Sequence, residues 1–268
     1  MTIAIHHTQR LQTQTTHAMS QHVLICLPTY CEEVHINFAF SLMDLTRELT
    51  NAGITYETLH VASSHIIRAR NFFANYFLNR QEFSHLLFLD TDMKFPAEAV
   101  LKLLAANKTI AGVAYPFRRF HLDRAIEAGD TRLTLRDWLE KHADYTVAPV
   151  VDAEGDTHFV NGFVEARHVG TGVFLAHRDA FEATKPFAEC YAPPEQYVSM
   201  VPSGKFYGFF ETIEEDGIYL GEDVSFCRRA RSAGLTIWAL IDQTVVHYGQ
   251  SEVSGQYLQA MRRRGSVS

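Results

Sequence analysis

The feature that most restricts the fold of this chain is an alternation of short apolar runs with longer amphipathic ones across residues 22–115. HVLICLPTY (22–30) reads as a buried strand feeding a loop at Pro28. CEEVHINFAFSLMDLTRELTNAG (31–53) places Ile36, Phe40, Met43 and Leu49 near helical spacing, with Gly53 where a helix stop belongs. The pattern then repeats, with strands at 54–62, 85–90 and 109–115 and helices at 66–79 and 95–107. Short links between such elements predict an α/β fold, a mostly parallel sheet with helices on both faces. Sheets of that kind bind ligands beyond the carboxyl ends of their strands. The positions to read closely are therefore Pro28-Thr29-Tyr30, Asp90-Thr91-Asp92 and Tyr115-Pro116.

The pattern changes after residue 116. A mixed-charge stretch (117–130) leads to a short helix at 133–143, and residues 145–176 read as a β meander turning at AEGD. RDAFEAT (178–184) is a helical turn. EDVSFCRRARSAG (222–234) is a helix, acidic at its start and basic in its middle, an order that suits the helix dipole. TIWALI and TVVHYG supply the last strands, and the segment between 176 and 222 carries Phe206, Tyr207, Phe209 and Phe210, candidates either for stacking on a sugar or for packing. No repeat or Pro/Gly linker divides the chain. The expected organisation is a loose tail (1–20), a single domain (21–250) with halves 21–116 and 117–250, and a basic C-terminal tail (251–268).

Composition excludes several classes. Of 268 residues, 47% are hydrophobic and 21% charged, which is a globular composition rather than a disordered one. The net charge of −7 disfavours a stable nucleic-acid partner. The four cysteines (26, 31, 190, 227) have no metal-ribbon spacing and read as reduced thiols. No apolar run reaches the length of a membrane span, and residues 1–20 lack a signal-peptide core. The expected location is the cytoplasm, with peripheral membrane contact as a second option.

Three acidic or metal-binding positions carry the chemistry. Asp90 and Asp92, two residues apart, are able to share a hard divalent cation that bridges to a diphosphate. The motif is common by chance, and its place after the strand LLFL is what raises it above a surface turn. Glu222 and Asp223 open a helix, where acids are favoured without any function; the functional alternative is a general base for a hydroxyl. His247 in VVHYG is either a packed strand residue or a cation ligand, and imidazole would tilt preference from Mg²⁺ toward Mn²⁺. Gly170 and Gly172, flanking Thr171, permit close approach of a ligand to the backbone, or form a bulge.

The order of these features resembles the GT-A fold glycosyltransferases, especially the family 2 type and its small bacterial and viral members. HLLFLDTDMKF, AGVAYPFRR, HVGTGVFLAHRDAF and YLGEDVSFCRRARSAGLTIWALIDQTVVHYG carry the resemblance, which spans about residues 22–249. It implies a Rossmann-like sheet plus a smaller mixed β acceptor-side part. It implies that Asp92 and His247 hold Mn²⁺ or Mg²⁺, with Asp90 near the donor ribose and the metal-bound water, and Thr91 between them. Pro28, Thr29 and Tyr30 would form the nucleotide loop, Arg70 would lie near the phosphates, and Gly170 and Gly172 would line the cleft. Asp223, beside Glu222, would be the base of an inverting transfer from a UDP- or GDP-sugar to a glycan, glycolipid or other hydroxyl acceptor.

The chain departs from that pattern in two places. HVASSH lacks the acidic pair that often contacts the nucleobase, so the base is open. Arg263 stands where processive synthases carry Trp, which implies single additions; the run Arg262-Arg263-Arg264 is otherwise a solvated end or a phosphate contact. The alternatives are a nucleotidyltransferase, disfavoured because LPTYCEEVH has no glycine-rich basic loop, and a non-catalytic nucleotide- or sugar-binding module.

Overall fold

A computed structural model describes residues 3–6, 21–118, 133–249 and 253–266. Most of the mixed-charge stretch 117–130, and most of the expected tail 1–20, lie outside the described residues.

The fold is α/β. Strands β1 (Ile3–His6), β2 (His22–Thr29), β3 (Thr55–Ala62), β4 (His85–Leu89) and β6 (Ile110–Val113) alternate with helices α1 (Ile36–Asn51), α2 (Ile66–Leu78) and α3 (Ala97–Ala105). A short strand β5 (Met93–Lys94) precedes α3. The second half adds α4 (Leu135–His142), β7 (Val147–Pro149), β8 (Phe159–Val160), β9 (Phe163–Val169), β10 (Val173–His177) and α5 (Arg178–Thr184). Two hairpins follow, β11 (Cys190–Tyr191) with β12 (Phe206–Tyr207) and β13 (Ile213–Glu215) with β14 (Ile218–Leu220). The chain continues through α6 (Glu222–Ser232), β15 (Ile237–Leu240), β16 (Thr244–His247), β17 (Val253–Gln256) and α7 (Tyr257–Arg264).

The central sheet runs β1-β3-β2-β4-β10-β6-β15-β9-β7, with β8 on β9. β3, β2 and β4 are parallel neighbours, and so are β6 and β15. β10 lies between the two groups, antiparallel to β4 and to β6, so all five of those strands share one direction. Antiparallel strands complete both margins.

Helices cover both faces, which is why the inner strands read as unbroken apolar runs rather than alternating ones. Val23, Ile25, Leu87 and Leu89 pack in one core with Phe38, Leu45 and Leu103; Leu24, Cys26, Leu86 and Phe88 pack in the other with Phe72, Phe77, Phe181 and Phe226. Gly53 and Gly234 follow α1 and α6 at φ of 70° and 80°, a left-handed conformation that glycine enters without a Cβ penalty.

Several expectations change. α1 begins at Ile36, and Ile36, Phe40 and Met43 lie on its outer face at 57–64% exposure, while Phe38, Ser41, Leu45 and Leu49 face the core. Phe206, Phe209 and Phe210 are buried and pack in the core, so only Tyr207 of that cluster is partly exposed. Ile3–His6 pairs with β3. In the segment expected as a basic tail, β17 pairs with β16, and α7 buries Tyr257, Leu258, Ala260 and Met261. Arg263 donates to Asp137 at 2.6 Å and to Glu140 at 2.8 Å on α4, so it is an anchored residue rather than a solvated one.

Candidate active site

The turn after β4 holds Asp90, Thr91 and Asp92. Three neighbours fix its backbone. The Asp90 amide donates to the Gly172 carbonyl at 2.9 Å, at the start of β10. The Thr91 carbonyl accepts from the amide of His35, which caps α1, at 3.0 Å. The Asp92 carbonyl accepts from the Tyr248 amide at 2.8 Å, just past β16. The pairing of β16 with β5 sets His247 opposite Met93, and so beside Asp92.

His247 and Asp92 form the first half of the site. The His247 Nδ1 lies 3.0 Å from the Pro116 carbonyl, which only accepts, so Nδ1 carries the hydrogen. Nε2 is the ring nitrogen that faces Asp92 Oδ2, at 3.5 Å. Arg118 Nη1 donates to the same oxygen at 3.0 Å and to the Tyr248 carbonyl at 3.1 Å. Against the cost of its burial, the His247 ring and the Arg118 guanidinium hold the Asp92 carboxyl below its ordinary value. A carbonyl that holds Nδ1 and leaves Nε2 toward Asp92 is the arrangement a cation ligand needs. Among the described residues, no group of three or more His, Cys, Asp or Glu is placed to hold a metal ion. Asp92 Oδ2 and His247 Nε2 set a hard oxygen beside an imidazole nitrogen, donor types that Mg²⁺ and Mn²⁺ take together with water and phosphate oxygens.

Arg70 organises the second half. It lies in the first turns of α2, only 3% exposed. Its Nη2 donates to the two Asp90 oxygens at 3.0 and 3.3 Å, and its Nη1 donates to Glu222 at the start of α6. Arg70, expected near phosphates, is enclosed and ties the Asp90–Asp92 turn to the helix that carries Asp223. Burial raises the Asp90 carboxyl above its ordinary value, with Asp92 adding to the rise and Arg70 opposing it. Removing one member of such a pair leaves an uncompensated charge, a loss of roughly 3–5 kcal/mol for a fully buried pair. Here the carboxylates keep 22–24% exposure, which reduces that figure.

Tyr115 fills the centre. Its hydroxyl accepts from the Gly172 amide at 3.0 Å, and its ring meets the His247 ring edge-on at 5.2 Å between centroids. A Cβ at Gly170 would lie 2.7 Å from Thr146 and from the Tyr115 hydroxyl, and one at Gly172 would lie 2.7 Å from the Tyr115 ring. The close approach these glycines permit is therefore to Tyr115 and Thr146. Burial, with Asp90 and Asp223 nearby, raises the Tyr115 phenol far above its ordinary value, so it stays protonated.

The structure brings Arg70, Asp90, Asp92, Gly172, Glu222 and His247 into one connected network, and Asp223 is near enough to act on Arg70, Tyr115 and His168. Pro28 and Thr29 are buried at the end of β2, whereas Tyr30 is 77% exposed and borders a cavity of about 580 Å³ with Ser63, Ser64 and Arg68. Sequence reasoning did not assign Tyr115, Arg118 or the α2 asparagines. Tyr115 was marked by its place after a strand. The asparagines were marked by their spacing, at 71, 75 and 79.

Those asparagines hold the segment 203–210 against α2. Asn71 Oδ1 accepts from the Phe210 amide at 2.8 Å. Asn75 accepts from the Tyr207 amide and donates to the Tyr207 carbonyl, both at 2.8 Å. Asn79 accepts from the Ser203 amide at 3.0 Å. On the other side, Arg229 of α6 donates to the carbonyls of Phe187, Phe209 and Glu211.

No family model matches the chain, and the search of curated proteins gave no match. Solved structures similar in chain path include the A197 protein from STIV (18% identity, 86% of this chain and 87% of that one, TM-score 0.46). They also include a Drosophila β-1,4-galactosyltransferase 7 mutant in complex with manganese, UDP-Gal and xylobiose (11% identity, 92% and 75% coverage, TM-score 0.37). A third is a glycosyltransferase involved in glycosylation of the major capsid of PBCV-1 (12% identity, 60% and 62% coverage, TM-score 0.25). Among the described residues, no helix is long and apolar enough to cross a membrane.

Proposed function

We propose that this chain is an inverting, metal-dependent glycosyltransferase of the GT-A type, acting from a nucleoside-diphosphate sugar onto a hydroxyl acceptor. One observation carries the reading. Asp90, Asp92 and His247 converge at the end of β4 and are joined through Arg70 to the helix start that presents Asp223. Asp92 and His247 would hold Mn²⁺ or Mg²⁺, which when bound supplies Lewis-acid stabilisation of the departing diphosphate.

The remaining chemistry belongs to the chain. Asp223 takes the proton of the acceptor hydroxyl as its oxygen bonds to the anomeric carbon. The bond from that carbon to the phosphate oxygen breaks on the opposite face, and the nucleoside diphosphate leaves with the electron pair. Arg70 keeps Glu222 and Asp90 from repelling that charge directly. Tyr115, protonated and enclosed, keeps water from the space between His247 and Gly172.

Thermal melting with UDP, GDP and their sugars, with and without Mn²⁺, tests the reading. A ligand bound only by the folded state raises the melting temperature. The expected result is a rise that needs both the cation and one class of nucleoside diphosphate, and that disappears in Asp92→Asn. Asp223→Asn should keep that rise while transfer falls by about 10²–10⁴-fold, the span of general-base effects. Transfer at the wild-type rate in Asp223→Asn removes Asp223 from its role.

A further inference from the structure

Beside the network lies a second cavity, of about 670 Å³, between the first turns of α2 and the β11–β12 hairpin. It shares Ser64, His65 and Arg68 with the cavity beside Tyr30, so the two adjoin across the start of α2. Nothing in the network just described uses it.

Its lining has a particular chemistry. Tyr191 is 49% exposed and lines the cavity together with Phe206 and Ile67. Glu211 places a carboxylate there, and one of its oxygens accepts from Asn71 Nδ2 at 2.9 Å. Arg68 brings a guanidinium, packed over the Tyr197 ring at 5.7 Å. A ligand suited to this lining needs an apolar face for the ring, a hydroxyl that donates to Glu211 and an oxygen that accepts from Arg68. Arg68 and Glu211 carry opposite charges, so the lining favours a ligand without net charge. A polyhydroxylated sugar ring meets all four conditions, and the volume lies in the range of small-ligand sites.

The lining is also held in place. Asn71 grips both Glu211 and the Phe210 amide, Asn75 grips Tyr207, and Arg229 grips the Glu211 carbonyl from the opposite side. A carboxylate fixed before binding loses little freedom on binding, which is how preformed sites gain affinity.

We propose that this cavity is a subsite for a neutral saccharide and, resting on the glycosyl-transfer reading, that it holds the acceptor. Saturation-transfer NMR on the full chain with methyl glucoside, methyl galactoside and methyl mannoside, each at millimolar concentration and without nucleotide, tests it. The expected result is transfer to the ring protons of at least one glycoside, lost in Tyr191→Ala, kept in Tyr191→Phe and weakened in Glu211→Gln. Tyr191→Ala should retain the wild-type melting temperature and its response to nucleotide. Absence of transfer from all three glycosides in the wild type, or undiminished transfer in a folded Tyr191→Ala, overturns the proposal whatever the nucleotide does. Transfer that depends on Tyr191 in a protein indifferent to every nucleotide upholds the saccharide subsite and defeats the glycosyl-transfer reading.

Discussion

Arg118 donates to Asp92 Oδ2, the oxygen that also faces His247 Nε2. Its side chain is 49% exposed and that of Asp92 37% exposed, and Gly249 leaves room for it, since a Cβ there would lie 2.5 Å from the Arg118 Cδ. A cation held by Asp92 and His247, as proposed above, would compete with the guanidinium for Asp92 Oδ2. An ion pair this open is worth up to about 1 kcal/mol. Arg118→Ala should therefore tighten Mn²⁺ binding by about two- to fivefold, read by the free-Mn²⁺ signal in electron paramagnetic resonance, with Arg118→Lys close to wild type. Weaker Mn²⁺ binding in Arg118→Ala would mean that Arg118 supports the cation instead of excluding it. Asp90 and Asp92 were legible because an apolar strand delivers them to the ligand end of a sheet. Arg118 was not, because its meaning depends on Tyr248 and Gly249, 130 residues along the chain.

At the scale of elements, α2 is the most instructive. Residues 69–78 are all buried, so its polar side chains need partners. Asn71, Asn75 and Asn79 find them in the backbone of residues 203–210, and Asn75 and Asn79 each also donate to the carbonyl four residues earlier at 2.8 Å. Asn75→Ala removes its bonds and leaves the Tyr207 amide and carbonyl without them, a loss of about 2–4 kcal/mol when each buried group costs about 1–3. Urea unfolding checks the magnitude, and hydrogen exchange should speed up at Tyr207 before it does in the central sheet. The i, i+4 spacing of these asparagines is visible in the sequence, but their partner loop is not. α1 gives the reverse lesson. Ile36, Phe40 and Met43 have a helical period and still face outward, because Phe38, Leu45 and Leu49 form a second apolar stripe that meets Phe95 and Leu103. Periodicity identified the helix and left its rotation open. α7 was not legible because it is only eight residues long and three arginines crowd its end.

For the whole molecule, the strand alternation was enough to give the α/β class. It did not reveal that β10, from the second half, lies inside the sheet of the first. His85 on β4 and His177 on β10 are register partners, and their rings meet at 5.0 Å. Burial, with His177 alongside, pushes His85 down to about 4. An unfolded histidine protonates near pH 6.5, so between about 6.5 and 4 the unfolded chain binds a proton that the folded one refuses. Stability is therefore fully present above that window and falls as pH falls through it, by up to about 3 kcal/mol from this group. Urea unfolding at about pH 7 and pH 4.5 should show a smaller acid loss in His85→Gln than in the wild type. Equal losses would place the sensitivity elsewhere.

The position of β10 also bears on how the protein is made. A ribosome releases β4 and β6 long before residues 173–177 emerge, and those residues are what join them. Until then the nascent chain carries two open strand edges facing a gap one strand wide, each a template for pairing with another chain. The first half of the chain cannot settle first and wait for its partner; closing the sheet is an act of the nearly finished polypeptide, and truncations that end before residue 173 should go to inclusion bodies rather than to a small folded domain.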